Sequence, residues 1–100
     1  MKPKTLLWSA EKDEWLRRER DIGFEDIEEA LGQGKLLADT PHPNQERFPR
    51  QRVLIVEVRD EVYVVPYVSH ESEIFLKTIY PSRKARRIYG RRKTPAATKS

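Results

Sequence analysis

The side chains of this sequence that could act on a ligand are mainly cations at the ends of apolar or helical segments. Arg52 opens one apolar run, Lys77 lies within the last one, and Arg83 and Lys84 open a basic segment. Cleavage of RNA by its own 2′-hydroxyl needs a proton acceptor, cations that hold the charge on the pentacoordinate phosphorus, and an acid for the 5′-oxygen. Arginine and lysine can hold that charge without a metal ion, and a helix start can face a phosphate. These cations therefore predict phosphate chemistry.

Groups suited to acid–base or metal chemistry are few. His42 and His70 have an unperturbed pKa that suits proton transfer near neutrality, and both lie in polar loops where we expect them to be exposed. His42 is a minor candidate base. Neither histidine has a partner at ligand-like spacing and the chain has no cysteine, so we expect no metal and no cofactor. The acids of "FEDIEE" are expected to form a solvated helix face.

Charge is distributed unevenly along the 100 residues, which carry 20 basic and 16 acidic side chains. All of the acids lie in residues 1–76, whereas residues 77–100 contain nine basic residues. A basic C-terminal quarter attracts polyanions, so RNA, DNA or an acidic protein are the partners that this balance favours. The sequence has no apolar run long enough to cross a bilayer and none typical of a leader. We expect a cytoplasmic protein without membrane contact.

The N-terminal half predicts a short strand and two helices. "TLLW" (5–8) is an apolar strand, and Ser9 is a candidate N-cap for a helix over Ala10–Arg20, which has acids in its first turns and bases in its last. A second helix begins after Gly23, with Ile22 placed to contact Ile27, and ends at the glycines of "GQG". "KLLAD" (35–39) is a weak strand candidate.

The C-terminal half predicts the sheet. A proline-rich loop (40–51) precedes "RVLIVEV" (52–58) and "EVYVVPYV" (61–68), which should form a hairpin around Arg59-Asp60. Pro66 implies an edge or a bulge, and "EIFLKTIY" (73–80) supplies a further strand. We expect a single α+β domain over 1–90, with an antiparallel sheet of three to four strands packed by the two N-terminal helices.

A short basic helix should follow the last strand. Ser82 is its candidate N-cap, and helical spacing puts Ala85, Ile88 and Tyr89 on one side, where they could dock on the sheet. The opposite side is cationic, with Arg83, Lys84, Arg86, Arg87 and Arg91. Residues 91–100 read as a basic, disordered tail.

The amino-acid sequence of these segments resembles that of a known family. The stretch "LLWSAEKDEWLRRERDIGFEDIEEAL", then "HPNQERFPRQRVLIVEV", "VYVVPYV" and "IFLKTIYPSRKARRIYG", is similar to BrnT-type toxins of bacterial toxin–antitoxin pairs. The resemblance implies a RelE/barnase-like fold that cleaves messenger RNA without metal and so inhibits translation and growth. It also implies a cognate antitoxin with a DNA-binding region, through which alone the pair would contact operator DNA. A homodimer is left open.

Carried over by position, the resemblance assigns catalytic roles to Arg52, Ser82, Arg83 and Lys84, with Lys77 and Tyr89 as further candidates. Arg83, Lys84, Arg86, Arg87 and Arg91 are the RNA-binding candidates.

Each candidate also has a structural interpretation. Arg52 could pair with Glu46 or Glu57, Lys77 could be a solubilising residue, Ser82 could be only a cap, and Tyr89 could belong to the core. The alternative function is a small basic domain that binds nucleic acid or an antitoxin without catalysis.

Overall fold

Three helices and six strands make up the computed structural model, which describes residues 4–90. The strands are β1 (Thr5–Leu7), β2 (Leu36–Pro41), β3 (Arg52–Val58), β4 (Glu61–His70), β5 (Glu73–Leu76) and β6 (Tyr80–Pro81). The helices are α1 (Ala10–Arg20), α2 (Phe24–Gly32) and α3 (Arg83–Tyr89). The prediction of a single α+β domain is confirmed. The predicted tail 91–100, including Arg91, lies outside the described residues.

The sheet is larger than predicted and is mixed. Its strand order is β1-β5-β4-β3-β2, and β6 pairs with β4 beyond the end of β5. β1 runs parallel to β5, with Leu7 opposite Phe75, while the other pairs are antiparallel. The expectation of a wholly antiparallel sheet of three to four strands is therefore wrong. A three-residue apolar segment indicates a strand, but it carries no pattern that identifies a distant partner.

The hairpin of β3 and β4 forms as predicted. Arg59 and Asp60 both have positive φ, 49° and 67°, as the tight turns of two-residue hairpins require. Pro66, however, lies in β4, which has neighbours on both sides, and it pairs with Val53. Proline cannot donate a hydrogen bond to a neighbouring strand, so a sheet must be irregular beside it. Here residues 77–79, which follow β5, leave the sheet next to Pro66.

Predicted caps position the helices. The Ser9 hydroxyl accepts a hydrogen bond from the Lys12 N–H at the start of α1, at 3.1 Å. Asp26 accepts from the Gly23 N–H at 2.8 Å and so caps the start of α2. Asp13 of α1 also contributes to the start of α2, because its carboxylate accepts a hydrogen bond from the Phe24 N–H at 2.8 Å. The two helices are therefore joined through the exposed N–H groups of α2.

The sheet separates two hydrophobic clusters. On one face, α1 and α2 contribute Leu16, Phe24 and Ile27, all fully buried, against alternate residues of β3 and β4. On the other face, α3 contributes only Ala85, which packs with Val53, Ile55, Val62 and Val64. Two helices cover one face, whereas a seven-residue helix covers part of the other. This second face is buried at those four residues and at Pro66, and it is open at Phe75 and Leu7.

Candidate functional site

A groove of about 330 Å³ lies between α3 and the segment that leaves β2. Val53, Ile55, Val64 and Tyr80 form its floor. One wall consists of Thr40, Pro41 and Pro43, and the other consists of Ser82, Lys84, Ala85, Ile88 and Tyr89. We call this feature the α3 groove. It combines an apolar floor with a wall that carries one cation, Lys84.

The groove exists because α3 does not dock as predicted. Ala85 is buried, but Ile88 is 58% exposed and Tyr89 is 36% exposed. The prediction that these three side chains dock on the sheet together is confirmed for Ala85 alone, and Tyr89 is not a core residue. With an alanine as its contact, α3 lies close to the sheet at that point. Ile88 and Tyr89 become the side of an open channel.

The positive charge of α3 remains largely available to a ligand. Arg83, Lys84 and Arg87 are exposed, and none of the described acidic side chains forms an ion pair with them. Arg86 instead donates to the backbone oxygen of Asp60 at 2.8 Å, which fastens α3 to the β3–β4 turn. Among the described RNA-binding candidates, Arg83, Lys84 and Arg87 are therefore available to a ligand, whereas Arg86 makes a structural contact.

Ser82 begins α3 as a cap. Its hydroxyl accepts a hydrogen bond from the Ala85 N–H at 3.0 Å, which confirms the N-cap prediction. The same residue lines the α3 groove beside Lys84. A cap role and a place in the groove are therefore combined in one side chain, and a catalytic role for its hydroxyl stays a prediction.

Arg52 lies on the opposite face of the sheet from α3. It pairs across the ladder with Tyr67, whose ring belongs to the cluster under α1 and α2. Its Nε donates to Asp39 Oδ1 at 3.1 Å, and another guanidinium nitrogen donates to the Asp39 backbone oxygen at 2.9 Å. The predicted ion-pair partners, Glu46 and Glu57, are wrong, because β2 brings Asp39 alongside instead. The structure does not bring Arg52 together with Arg83 and Lys84.

Tyr67 completes this polar cluster. Its hydroxyl donates to the Asp39 carboxylate, with 2.8 Å to one oxygen and 2.9 Å to the other. Burial, followed by the hydrogen bond to Asp39, raises the pKa of Tyr67 above its usual value. The hydrogen bond to Asp39 likewise raises the pKa of the Arg52 guanidinium. Sequence reasoning missed Asp39 and Tyr67, since no spacing links positions 28 residues apart.

Lys77 and Phe75 lie on the same face of the sheet as α3, away from the groove. The Lys77 ammonium is 5.3 Å from the ring centroid of Phe75, which is 36% exposed. Ile79, predicted to share their face, is fully buried in the cluster under α1 and α2. Lys77 and Ile79 lie on different faces because the chain leaves the strand after Leu76. Lys77 is therefore exposed, as one interpretation of the sequence expected, and it lies over an aromatic ring.

The histidines lie outside the α3 groove lining. The Nδ1 of His42 accepts a hydrogen bond from the Asn44 N–H at 3.0 Å, and its ring contacts Phe48 with centroids 4.5 Å apart. His42 is half-buried, contrary to prediction, whereas His70 is exposed as predicted. Among residues 4–90, no group of three or more His, Cys, Asp or Glu side chains is arranged to hold a metal ion.

Two tyrosines supply the phenol groups of the groove, beside the aliphatic hydroxyls of Thr40 and Ser82. Burial raises the pKa of Tyr80, so its hydroxyl stays protonated at neutral pH and can donate a hydrogen bond. Tyr89 lies on the wall beside Lys84. The described lining has no carboxylate and no imidazole. The arrangement can bind an anion electrostatically, accept an apolar ring and donate protons from hydroxyl groups.

A second cavity of about 340 Å³ lies between α2 and the β3–β4 turn, and it has the opposite charge character. Asp26, Glu29, Glu57 and Asp60 line it, with Lys35 and Arg59. A surface with this excess of carboxylates repels polyanions. The α3 groove is therefore the better candidate for a ligand that contains phosphate.

Within residues 4–90, none of the helices has the length and apolar character to cross a membrane.

Comparison with known proteins places the chain in one family. The model of the family described as "Domain of unknown function (DUF4258)" matches residues 16–81, so the chain belongs to that family. This match extends from α1 to β6 and ends just before α3. Searches of curated proteins and of solved structures found no match.

Proposed function

We propose that this DUF4258 protein is a metal-independent endoribonuclease toxin of a type II toxin–antitoxin system, with its RNA site in the α3 groove. The observation that supports the proposal is the wall of that groove, where Lys84 and Tyr89 stand over an apolar floor. A base can occupy the apolar channel while the adjoining phosphate meets Lys84 and Arg83. The proposed setting is the cytoplasm, with messenger RNA as substrate.

The chemistry follows from the groups in the groove and from Arg83, an exposed cation beside Lys84 that lies outside the groove lining. Lys84 and Arg83 would hold the charge that develops on the phosphorus while the RNA 2′-hydroxyl attacks. The attacking 2′-hydroxyl would release its proton to solvent water. The Tyr89 hydroxyl would supply a proton to the departing 5′-oxygen and regain one from solvent, and Tyr80 would donate a hydrogen bond from the floor. Since the described lining lacks a carboxylate and an imidazole, most of the rate enhancement would come from positioning and electrostatic stabilisation. The cognate antitoxin would cover this surface and carry the operator-binding region.

The same lining favours a second candidate, a non-catalytic RNA-binding domain. Arg52, assigned to catalysis by resemblance, is on the opposite face and is paired with Asp39 at 3.1 Å. Without it, the groove retains Lys84 and an apolar channel, with the exposed Arg83 and Arg87 on the same helix, and these suffice for binding. The two candidates share the RNA site and differ in whether the bound strand is cut.

Cleavage of a labelled single-stranded RNA by the purified chain in EDTA separates them. We expect the wild type to cut, and Arg83→Ala and Lys84→Gln to lose cutting. Arg18→Gln is the matched control, because Arg18 is an exposed cation on α1, on the other side of the sheet. Induction in cells should arrest growth for the wild type and the control only. Salt-dependent binding without cutting, together with harmless induction, would withdraw the toxin assignment in favour of the binding domain.

A further inference from the structure

An exposed apolar surface lies on the α3 side of the sheet, beyond the reach of α3. Alternation along β4 places Val68 on the face of Val62 and Val64, and Val68 pairs with Phe75. Phe75 in turn pairs with Leu7. Phe75 is 36% exposed and Leu7 is 37% exposed, so three adjacent strands present apolar side chains to solvent.

A cation completes this surface. The ammonium group of Lys77 lies 5.3 Å from the Phe75 ring centroid, and the Lys77 backbone N–H donates to the Pro66 oxygen at 2.8 Å. The backbone bond fixes the root of the side chain beside β4, while the ammonium itself is exposed. We call Leu7, Val68, Phe75 and Lys77 the sheet platform.

We propose that the sheet platform is a second nucleotide subsite, in which a base of single-stranded RNA stacks on Phe75 and an adjoining phosphate binds Lys77. The proposal rests on RNA binding in the α3 groove and extends it to a longer footprint. Exposed aromatic rings on a sheet, with cations beside them, are a recurring way to bind single strands. The weak cation–π contact of Lys77 would be exchanged for a phosphate contact when a base covers the ring.

The spacing suits one continuous strand. Phe75 lies two strands from Val53 on the groove floor and two residues further along the sheet. With strands about 4.8 Å apart and a rise of about 3.3 Å per residue, the separation is roughly 12 Å. Pro66 lies on this face between the two sites and is buried, so the sheet is covered at that residue. An RNA strand that joins the α3 groove to the sheet platform would therefore span this distance over the atoms that cover Pro66.

The charges beside the sheet platform differ between its two ends. Lys77 lies on the side towards the groove, whereas Glu73 and His70 pair with each other on the same face at the far end. The carboxylate of Glu73 disfavours a phosphate there, so the strand should end its contact at Phe75. Replacing Glu73 with Gln should accordingly strengthen RNA binding.

Fluorescence anisotropy with a labelled 2′-O-methyl oligoadenylate of about ten nucleotides tests the subsite, since this probe resists cleavage by its own hydroxyl. Phe75→Ala should weaken binding by roughly 5- to 100-fold, as expected for loss of one stacked base. Phe75→Trp should restore it, and Phe75→Leu should not. Leu36→Ala is the matched control, because Leu36 is 44% exposed on the opposite face. Lys77→Gln should lower the salt slope by about 0.7, and Arg18→Gln should leave it unchanged.

The results separate this inference from the proposed function. If Phe75→Ala binds like the wild type while Lys84→Gln binds weakly, the sheet platform is not a subsite and the α3 groove remains one. If Phe75→Leu binds like the wild type, the contact is apolar rather than stacked, and the proposal is overturned. If the wild type binds no RNA at all, the subsite and the proposed function both fail.

Discussion

Replacing Tyr67 with Phe should destabilise the fold measurably, because its hydroxyl anchors the end of β2. The hydroxyl lies 2.8 and 2.9 Å from the two Asp39 oxygens. A hydrogen bond to a charged group is worth about 1.5–3 kcal/mol. The Asp39 side chain is 40% exposed, and water can partly replace the lost donor, so we expect about 1.5 kcal/mol. For a domain of this size that free energy lowers Tm by roughly 6–12 °C.

Urea unfolding and thermal denaturation, followed by circular dichroism, measure this change. Tyr63→Phe is the matched control, since Tyr63 is a partly buried tyrosine on the same strand and face. A double-mutant cycle with Asp39→Asn then isolates the Tyr67–Asp39 coupling. If Tyr67→Phe unfolds at the same urea concentration as the wild type, the polar cluster does not anchor β2. The wall of the α3 groove at Pro41, the last residue of β2, would then need another explanation.

Three further outcomes follow from the groove and its surroundings. Ser82→Ala should lower the free energy of unfolding in urea by about 1 kcal/mol because the α3 cap is lost, whereas Ser82→Asn should keep most of the stability that the cap provides. If Ser82→Asn is as stable as the wild type but no longer cleaves RNA, the Ser82 hydroxyl is catalytic. Burial raises the pKa of Tyr80, so the unfolded chain loses the Tyr80 hydroxyl proton at a lower pH than the folded protein does. The free energy of unfolding should therefore fall as pH rises above about 10, and it should fall less steeply in Tyr80→Phe. The double variant Arg83→Gln/Lys84→Gln should lower the salt slope of RNA binding by about 1.4, and an unchanged slope would place the phosphates elsewhere.

Local features of the fold could be predicted because their causes are local. The Ser9 and Ser82 caps each need only a hydroxyl three residues before an N–H group, and both form. The turn at Arg59-Asp60 follows from two β-rich runs separated by two polar residues. These signals lie within a few residues of their effects, so the sequence displays them directly.

The arrangement of the site depends on contacts that the sequence does not display. The parallel pairing of β1 with β5 joins residues 68 positions apart, such as Leu7 and Phe75, and it builds the sheet platform. The face of Arg52 is set by the register of β3, since a shift of one residue would turn it towards α3. The exposure of Ile88 depends on how closely Ala85 approaches the sheet. Helical spacing predicts which side chains share a face, but not how much of that face is covered.

The termini of the RNA fragments produced in EDTA test the central claim most directly. Attack by the RNA 2′-hydroxyl without metal leaves a 2′,3′-cyclic phosphate and a 5′-hydroxyl, which mass spectrometry distinguishes from other ends. We expect these ends from the wild type, and no fragment from Lys84→Gln or from a substrate with a single 2′-deoxy nucleotide at the cut position. An intact substrate under conditions where the wild type binds it, or fragments that end in a 5′-phosphate, would contradict the account.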